Sequence, residues 1–494
     1  MHLNLQHFFA LAAPMAAIVT AANPPGGLEK CLQKAVSGEA ARAQFSYEPG
    51  FEENDVRPYN LNYQRKPVAV LYPKTSEEVS KIVQCTAKTD RKLHARSGGN
   101  DLTNTFLGSA DGAVVVDLKN FQKLEVDQVT GVAKVGSGLR LKHLVEGLHT
   151  NGGRYMPAGA SAGLGVGGLT LVGGVGLNTR LEGAMIDAIV KVEVVLANGT
   201  IVNASASEHS DLFWAIRGAG ASFGIVTEFQ FQTKPEPTEV IDFAFTVSSN
   251  NTATLTNAFK AYHEIIRDRT LDPRLGVVVV ASKNSFRISG AYFGPRDGYD
   301  RIDFGSRVPN IVSGNVSETI SWSEHVNNTF RGIDSLDPGQ SYLYVHGTAL
   351  NFATLPTNDT IDSVFEHLQN ANSGDANWFV LMDLYGGAIG KPAVDATAFP
   401  HRDIAYFFSV YATTENRTAQ ATYDFVDDAV FNVQGKQPEK YLSYVGYTND
   451  RVEGSPQERY WGSNLPRLQD IKAAYDSKDL FSTAHTVKAK GQRH

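Results

Sequence analysis

Between Met156 and Arg180 the chain reads "MPAGASAGLGVGGLTLVGGVGLNTR", with eight glycines and neither a helical nor an alternating period. A second cluster, Arg96-Ser97-Gly98-Gly99-Asn100-Asp101, follows "KLHARS", which reads as a strand. Glycine at this density builds neither a packed helix face nor a strand. It leaves backbone bare, and bare backbone N–H groups can hold an anion. A long phosphate-bearing cofactor laid along the chain would need such surface in several places. Turns alone are the other reading, and they leave the density unexplained.

Two familiar patterns fall inside these clusters, and their surroundings exclude both. Gly163-Leu-Gly165-Val-Gly167-Gly168 fits GxGxxG, but a dinucleotide fingerprint needs a strand before it and a helix after it. Here "MPAGASA" precedes and more glycine follows. Gly220-Ala-Ser222-Phe-Gly224 fits GxSxG, but a nucleophile elbow runs strand, serine, helix. The order here is helix, then strand.

The rest of the chain places these clusters. "VAVLY" at 68–72 reads as a strand, and Thr75-Ser-Glu-Glu78 as a capping box opening a helix to about Ala87. With "KLHARS" this makes a βαβ-like unit over 68–97. Short strands "AVVVDL", "KLEVD" and "GVAKVGSG" follow, then a helix, "RLKHLVEGLHTNG". "AIVKVEVVLANGTIVNAS" reads as a hairpin, "SDLFWAIRG" as a helix, and Val226–Thr233 as an alternating strand. "KPEP" at 234–237 marks a domain boundary, because prolines there do not extend a sheet. From 239 to about 435, strands "VIDFAFTV", "GVVVVA" and "FRISGAYF" mix with helices such as "ATLTNAFKAYHEIIRD".

At 494 residues the chain is long enough for two or three domains. A net charge of −7 without a basic run argues against nucleic acid as partner. "HFFALAAPMAAIVTAA" reads as a secretory signal over residues 1–21, with cleavage near Ala21 or Ala22, and no other stretch is long and apolar enough to span a bilayer. Seven Asn-x-Ser/Thr sequons, at Asn198, Asn203, Asn250, Asn315, Asn327, Asn358 and Asn416, fit a glycosylated secreted protein. In that setting the two cysteines, Cys31 and Cys85, pair as a disulfide; two buried thiols are the alternative. With no cysteine cluster and no HExxH, no metal site is expected.

"RSGGN", "GVGGLTLVGGVG", "DLFWAIRGAGASFGIVTEFQF" and "YWGSNLPRLQDIKAAYDSKDLF" together resemble the FAD-linked oxidases with a PCMH-type flavin domain, in their berberine-bridge-enzyme-like branch. The resemblance runs from about residue 60 to 490 in the same order. It implies an α+β protein. A PCMH-type FAD-binding domain of two subdomains (63–236) follows an N-terminal segment (22–62). A substrate domain (237–435) has an antiparallel sheet backed by helices, and a C-terminal segment (436–494) returns to the flavin domain. It also implies a monomer that moves a hydride from a small organic substrate to flavin N5, with molecular oxygen as acceptor.

By the same resemblance FAD lies along Arg96, Ser97, Gly98, Gly99, Asn100 and Asp101; along Ser161, Gly165, Gly167, Gly168, Gly173 and Gly174; and along Gly224, Ile225 and Val226. Many members carry a flavin-linked His where this chain has Asn100, and bicovalent members a Cys at the position of Ser161. Neither residue present can form those bonds. Non-covalent FAD is therefore expected; lost redox chemistry, leaving a flavin-binding scaffold or a redox-neutral enzyme, is the rival, and a carbohydrate oxidase is a further alternative. Leu169 stands where "GGH" is common, and Leu164 near the family's oxygen gate. On the catalytic face, Tyr447 in "YVGYTND" matches the family's tyrosine base and Asp383 in "MDLYGG" its helper, although Gly446 replaces an Asn. Tyr342, Tyr344 and His346 in "YLYVHG" are further candidates for the pocket wall, and His401 is either functional or structural.

Overall fold

The computed structural model describes residues 26–108, 112–451 and 454–491. The expected signal sequence lies outside the described residues.

The flavin domain carries two sheets. The first has four strands in the order Ala43–Phe45, Ala69–Leu71, Val114–Asp117, Leu93–Arg96. Helix Ser76–Thr86 makes the crossover of the βαβ unit, and its Thr75 hydroxyl accepts from the Glu78 amide as a capping box requires. Val114–Asp117 lies between the two strands of that unit and runs parallel to both. The N-terminal segment is not separate: Ala43–Phe45 pairs antiparallel with Ala69–Leu71. Next to it, the Cys31–Cys85 disulfide joins helix Gly27–Ala35 to helix Ser76–Thr86, with the Cα atoms 5.8 Å apart.

The second sheet has five strands, Leu124–Val126, Val132–Gly136, Gly224–Gln232, Ile189–Leu196 and Ile201–Ser205. Its apolar face shares one core with helix Ser210–Ala219 and with Trp461, Leu465 and Leu468 of the C-terminal return. Helix Ser210–Ala219 precedes Ser222 and strand Gly224–Gln232 follows it, the reverse of a nucleophile elbow. The Ser222 hydroxyl accepts from the Val487 amide, a structural use. "KPEP" behaves differently from expectation. Lys234–Pro235 pairs with Arg154–Tyr155 as a two-residue antiparallel ribbon, an edge that asks nothing of the missing proline N–H.

The substrate domain is one seven-stranded antiparallel sheet. The order is Ile311–Val316, Ile241–Ser248, Ser285–Tyr292, Leu275–Ser282, Asn377–Leu384, Ile404–Thr414, Tyr342–Asn351. Helices Thr252–Ile266, Asn358–Asn370 and Gln420–Val433 cover one face and bury Phe259, Phe365 and Phe425. The other face turns toward the flavin domain. The chain then returns through helix Leu465–Tyr475 to the first sheet, where the Leu93 amide donates to the Leu480 carbonyl. Among the described residues no helix is long and apolar enough to cross a membrane, and no cluster could hold a metal ion.

Candidate active site

The two glycine segments meet. Gly98 and Gly165 pack backbone against backbone: a Cβ on Gly98 would lie 2.8 Å from the Gly165 Cα. Gly167 follows the same logic, because a Cβ there would reach the Ser137 carbonyl oxygen at 2.7 Å. Gly165 also caps a six-residue helix, Val166–Leu171, with no strand before it. The glycines thus let two loops close on one another while their other surface faces a cavity of about 410 Å³.

That cavity runs between the domains. Ser97, Gly98, Gly99, Asn100 and Asp101 line it. So do Ser161, Gly165, Gly167 and Gly168, and so do Gly224, Ile225 and Val226. Three expected residues do not. Arg96 turns away, its Nε donating to Asp117 at 2.7 Å and its Nη1 to the Val56 carbonyl. Gly173 and Gly174 are close to Phe399 and Met185 instead, while Val172, Val175 and Gly176 take the cavity side.

The cradle suits a dinucleotide. Among the described residues no protein acceptor takes the amide N–H of Gly98, Gly99 or Asn100, which leaves adjacent donors for a pyrophosphate. At the other end, His94 lines the cavity with its Nε2 buried and unpartnered. Burial first, then Lys472 and Lys92, push its pKa down to about 3, so the imidazole is neutral. The cofactor chemistry implied by the glycine loops fits the residues present.

Asn100 and Ser161, the two positions that the resemblance marks for flavin attachment, are engaged by protein groups. The Asn100 Oδ1 accepts from Arg140 at 3.1 Å, and Arg140 also donates to the Gly163 carbonyl. The Ser161 hydroxyl donates to Asp334 at 2.9 Å, at the end of helix Trp322–Asp334 in the substrate domain.

Opposite the cradle, strand Asn377–Leu384 presents Phe379, Leu381 and Asp383, alternate residues on one face, to the cavity. Tyr447 reaches the same space from a turn just after Tyr444, and its hydroxyl lies 3.4 Å from the Asp383 Oδ2. The rings of Tyr444, Phe407 and Tyr411 stand edge-on to Tyr447 with centroids 5.3, 6.0 and 6.2 Å away. Burial, then Tyr411 and Asp383, hold the Tyr447 phenol well above the ordinary tyrosine value. Burial pushes the Asp383 carboxyl up to about 6 against the opposing hydrogen bonds of Tyr447 and Tyr385. The site therefore pairs a phenol that keeps its proton with a hydrogen-bonded carboxyl whose own basicity is raised by burial.

Sequence reasoning missed Tyr385 and Tyr411, which complete the ring of phenols around Asp383. Tyr411 sits on strand Ile404–Thr414, whose register against Asn377–Leu384 no local pattern discloses. Tyr342, Tyr344 and His346 are corrected. In strand Tyr342–Asn351 it is the odd positions, Leu343 and Val345, that pack with Tyr447. Tyr344 and His346 face helix Gln420–Val433 and bind Asp427 at 2.6 and 2.8 Å, and Tyr342 does not line the cavity. His401 is structural: it is buried against Phe399 and Phe407, with its pKa lowered to about 3. Leu164 and Leu169 line the cavity, as does Gly446.

The description "FAD binding domain" matches residues 67–205, and "Berberine and berberine like" matches residues 443–488. The FAD-linked oxidoreductase sorD of Penicillium rubens is 31% identical over 465 residues, 92% of this chain and 97% of that protein. The chain belongs to the berberine-bridge-like FAD-linked oxidoreductases. Two solved structures agree with this oxidoreductase throughout. The xylooligosaccharide oxidase of Myceliophthora thermophila, in complex with xylobiose, has a TM-score of 0.85 at 26% identity, covering 94% of this chain and 100% of its own. The glucooligosaccharide oxidase of Acremonium strictum, which carries 6-S-cysteinyl, 8α-N1-histidyl FAD, has a TM-score of 0.84 at 25% identity, covering 94% and 99%. This oxidoreductase is thus an FAD-dependent enzyme of α+β architecture acting on a small molecule.

Proposed function

We propose that this oxidoreductase holds FAD without a covalent bond and oxidises a hydroxyl-bearing carbon, with Tyr447 as the proton acceptor and Asp383 as the group that receives the tyrosine's own proton. The observation that carries the reading is the Tyr447–Asp383 pair facing the glycine cradle across one cavity. When bound, FAD supplies a hydride acceptor at N5. Tyr447 takes the substrate's hydroxyl proton as its phenol proton passes to Asp383, so the carbon–oxygen double bond forms as the hydride leaves. The pair suits this order, because a phenol held this high cannot be a base unless its proton has somewhere to go. Ser97, Gly98, Gly99 and Asn100 would hold the pyrophosphate, and Gly224, Ile225 and Val226 would bound the cofactor on the sheet side.

Asn100 and Ser161 support non-covalent binding, being an amide and an alcohol already engaged by Arg140 and Asp334. Molecular oxygen is the proposed acceptor, with Leu164 beside its path. A monomer is the proposed working state. We place it in the secretory pathway. The disulfide supports this, as do the sequons: six of the seven asparagines are exposed and Asn203 is half-buried.

Acid precipitation of the purified enzyme tests the cofactor arm. All of the flavin should appear in the supernatant, and yellow colour retained in the pellet would show a covalent link. Anaerobic mixing with substrate should then bleach the bound flavin; a spectrum that no candidate alcohol changes would favour a redox-neutral role.

A further inference from the structure

The reacting pair has walls, and the walls differ from what a sugar needs. Phe379 and Tyr411 stack in parallel, centroids 4.8 Å apart and planes 7° apart, on the strand face that ends at Asp383. Leu381 lies between Phe379 and Asp383. Ile333, Leu336 and Pro338 add further apolar lining to the same cavity. Among the described residues that line the cavity there is no Lys, Arg, Glu or Gln, and the one amide, Asn100, is bound by Arg140. The polar groups near the mouth are spent on one another: the Tyr59 hydroxyl donates to Asp337 at 2.8 Å.

The mouth is also strapped. The Gln340 amide donates to the Pro58 carbonyl at 2.7 Å, and the Leu61 and Ser341 amides exchange hydrogen bonds with the carbonyls of Ser341 and Tyr59. Asp334 ties the start of this strap to Ser161 and Ala162 in the glycine segment.

We infer that the substrate is a flat, largely apolar aromatic alcohol and not an oligosaccharide. This rests on the reading of Tyr447 and Asp383 as the reacting end of the pocket. A stacked ring pair in a cavity also lined by leucine, isoleucine and proline offers a planar apolar surface suited to one ring system. A saccharide would bury several hydroxyls against these side chains, each unpaired one costing roughly tenfold or more in affinity.

The test titrates the full-length holoenzyme anaerobically with 2-naphthalenemethanol, xylobiose and cellobiose, reading flavin absorbance for binding and bleaching for reduction. Saturable perturbation by the naphthyl alcohol, at least tenfold tighter than by either disaccharide, is expected. Equal or tighter binding of a disaccharide, or no response to the aromatic alcohol, overturns the inference. If the aromatic alcohol binds and the flavin stays oxidised, yet dithionite reduces it, the assigned occupant stands and the alcohol-oxidation reading falls. Phe379→Asn should weaken aromatic binding roughly tenfold with FAD content unchanged; unchanged aromatic affinity would count against this ring surface.

Discussion

Tyr447 and Asp383 illustrate how two ordinary residues become a proton relay. Neither is reactive in water: one is a phenol too weakly acidic to ionise, the other a carboxylate too weakly basic to take a proton at neutral pH. Burial raises both, and the 3.4 Å contact couples them. Tyr447→Phe should slow flavin reduction by about 10²–10⁴-fold with FAD content intact, as loss of a general base does. Stopped-flow reduction measures it, and a wild-type rate in the variant would refute the role. Asp383 also predicts a pH profile. Its carboxylate is the active form and its pKa is about 6, so the reduction rate should rise with pH through about 6. The Tyr385, Tyr411 and Tyr447 phenols that face it keep their protons throughout this range, since burial raises all three. Asp383→Asn should lower the rate and flatten that limb. Stability runs the other way, because a raised carboxyl pKa favours folding below the shift and penalises it above.

At the scale of elements, the flavin domain depends on staples between helices and sheets. Lys472 in helix Leu465–Tyr475 is fully buried, pairs with Asp476 at 2.7 Å, and donates to the carbonyls of Ser222 and Phe481. Asp476 in turn accepts from the Leu480 and Phe481 amides. Lys472→Met leaves that carboxylate buried and unpaired, and should cost about 3–5 kcal/mol. Thermal unfolding reads this as a lower Tm, and an unchanged Tm would contradict the role. The Cys31–Cys85 bridge closes 54 residues of chain and should contribute about 4 kcal/mol by restricting the unfolded ensemble. Denaturant unfolding of Cys31→Ser with Cys85→Ser against the parent checks that figure. Much at this scale was legible in advance. The capping box at Thr75–Glu78, the hairpin carrying Asn198 and the alternating strand ending near Thr233 all announce themselves locally. The ribbon at Lys234–Pro235 did not, because edge pairing of two residues leaves no period to read.

At the scale of the whole molecule, the cavity is assembled from Tyr59 near one end of the chain to Thr486 near the other. The C-terminal return is part of the flavin domain's own core, where Trp461 and Leu468 pack with Phe229 and Ile216. Deleting residues 454–494 should therefore abolish FAD retention and expose that core. Flavin content and limited proteolysis are the measurements, and a truncated protein that stays yellow and resistant would be the contrary result.

From the sequence by itself, the two glycine segments read best as serving a backbone-bound cofactor and the cysteines as a pair, and the surroundings of GxGxxG and GxSxG excluded their usual meaning. Each rests on composition or on neighbours a few residues away. Only the tertiary structure decided which way side chains point. In strand Tyr342–Asn351, Leu343 rather than Tyr344 looks toward Tyr447, and Tyr344 binds Asp427 instead. The reason is the two-residue period of a strand: a pattern shows that two faces exist, but the register of distant strands and the helices packed behind them choose which face meets the cofactor.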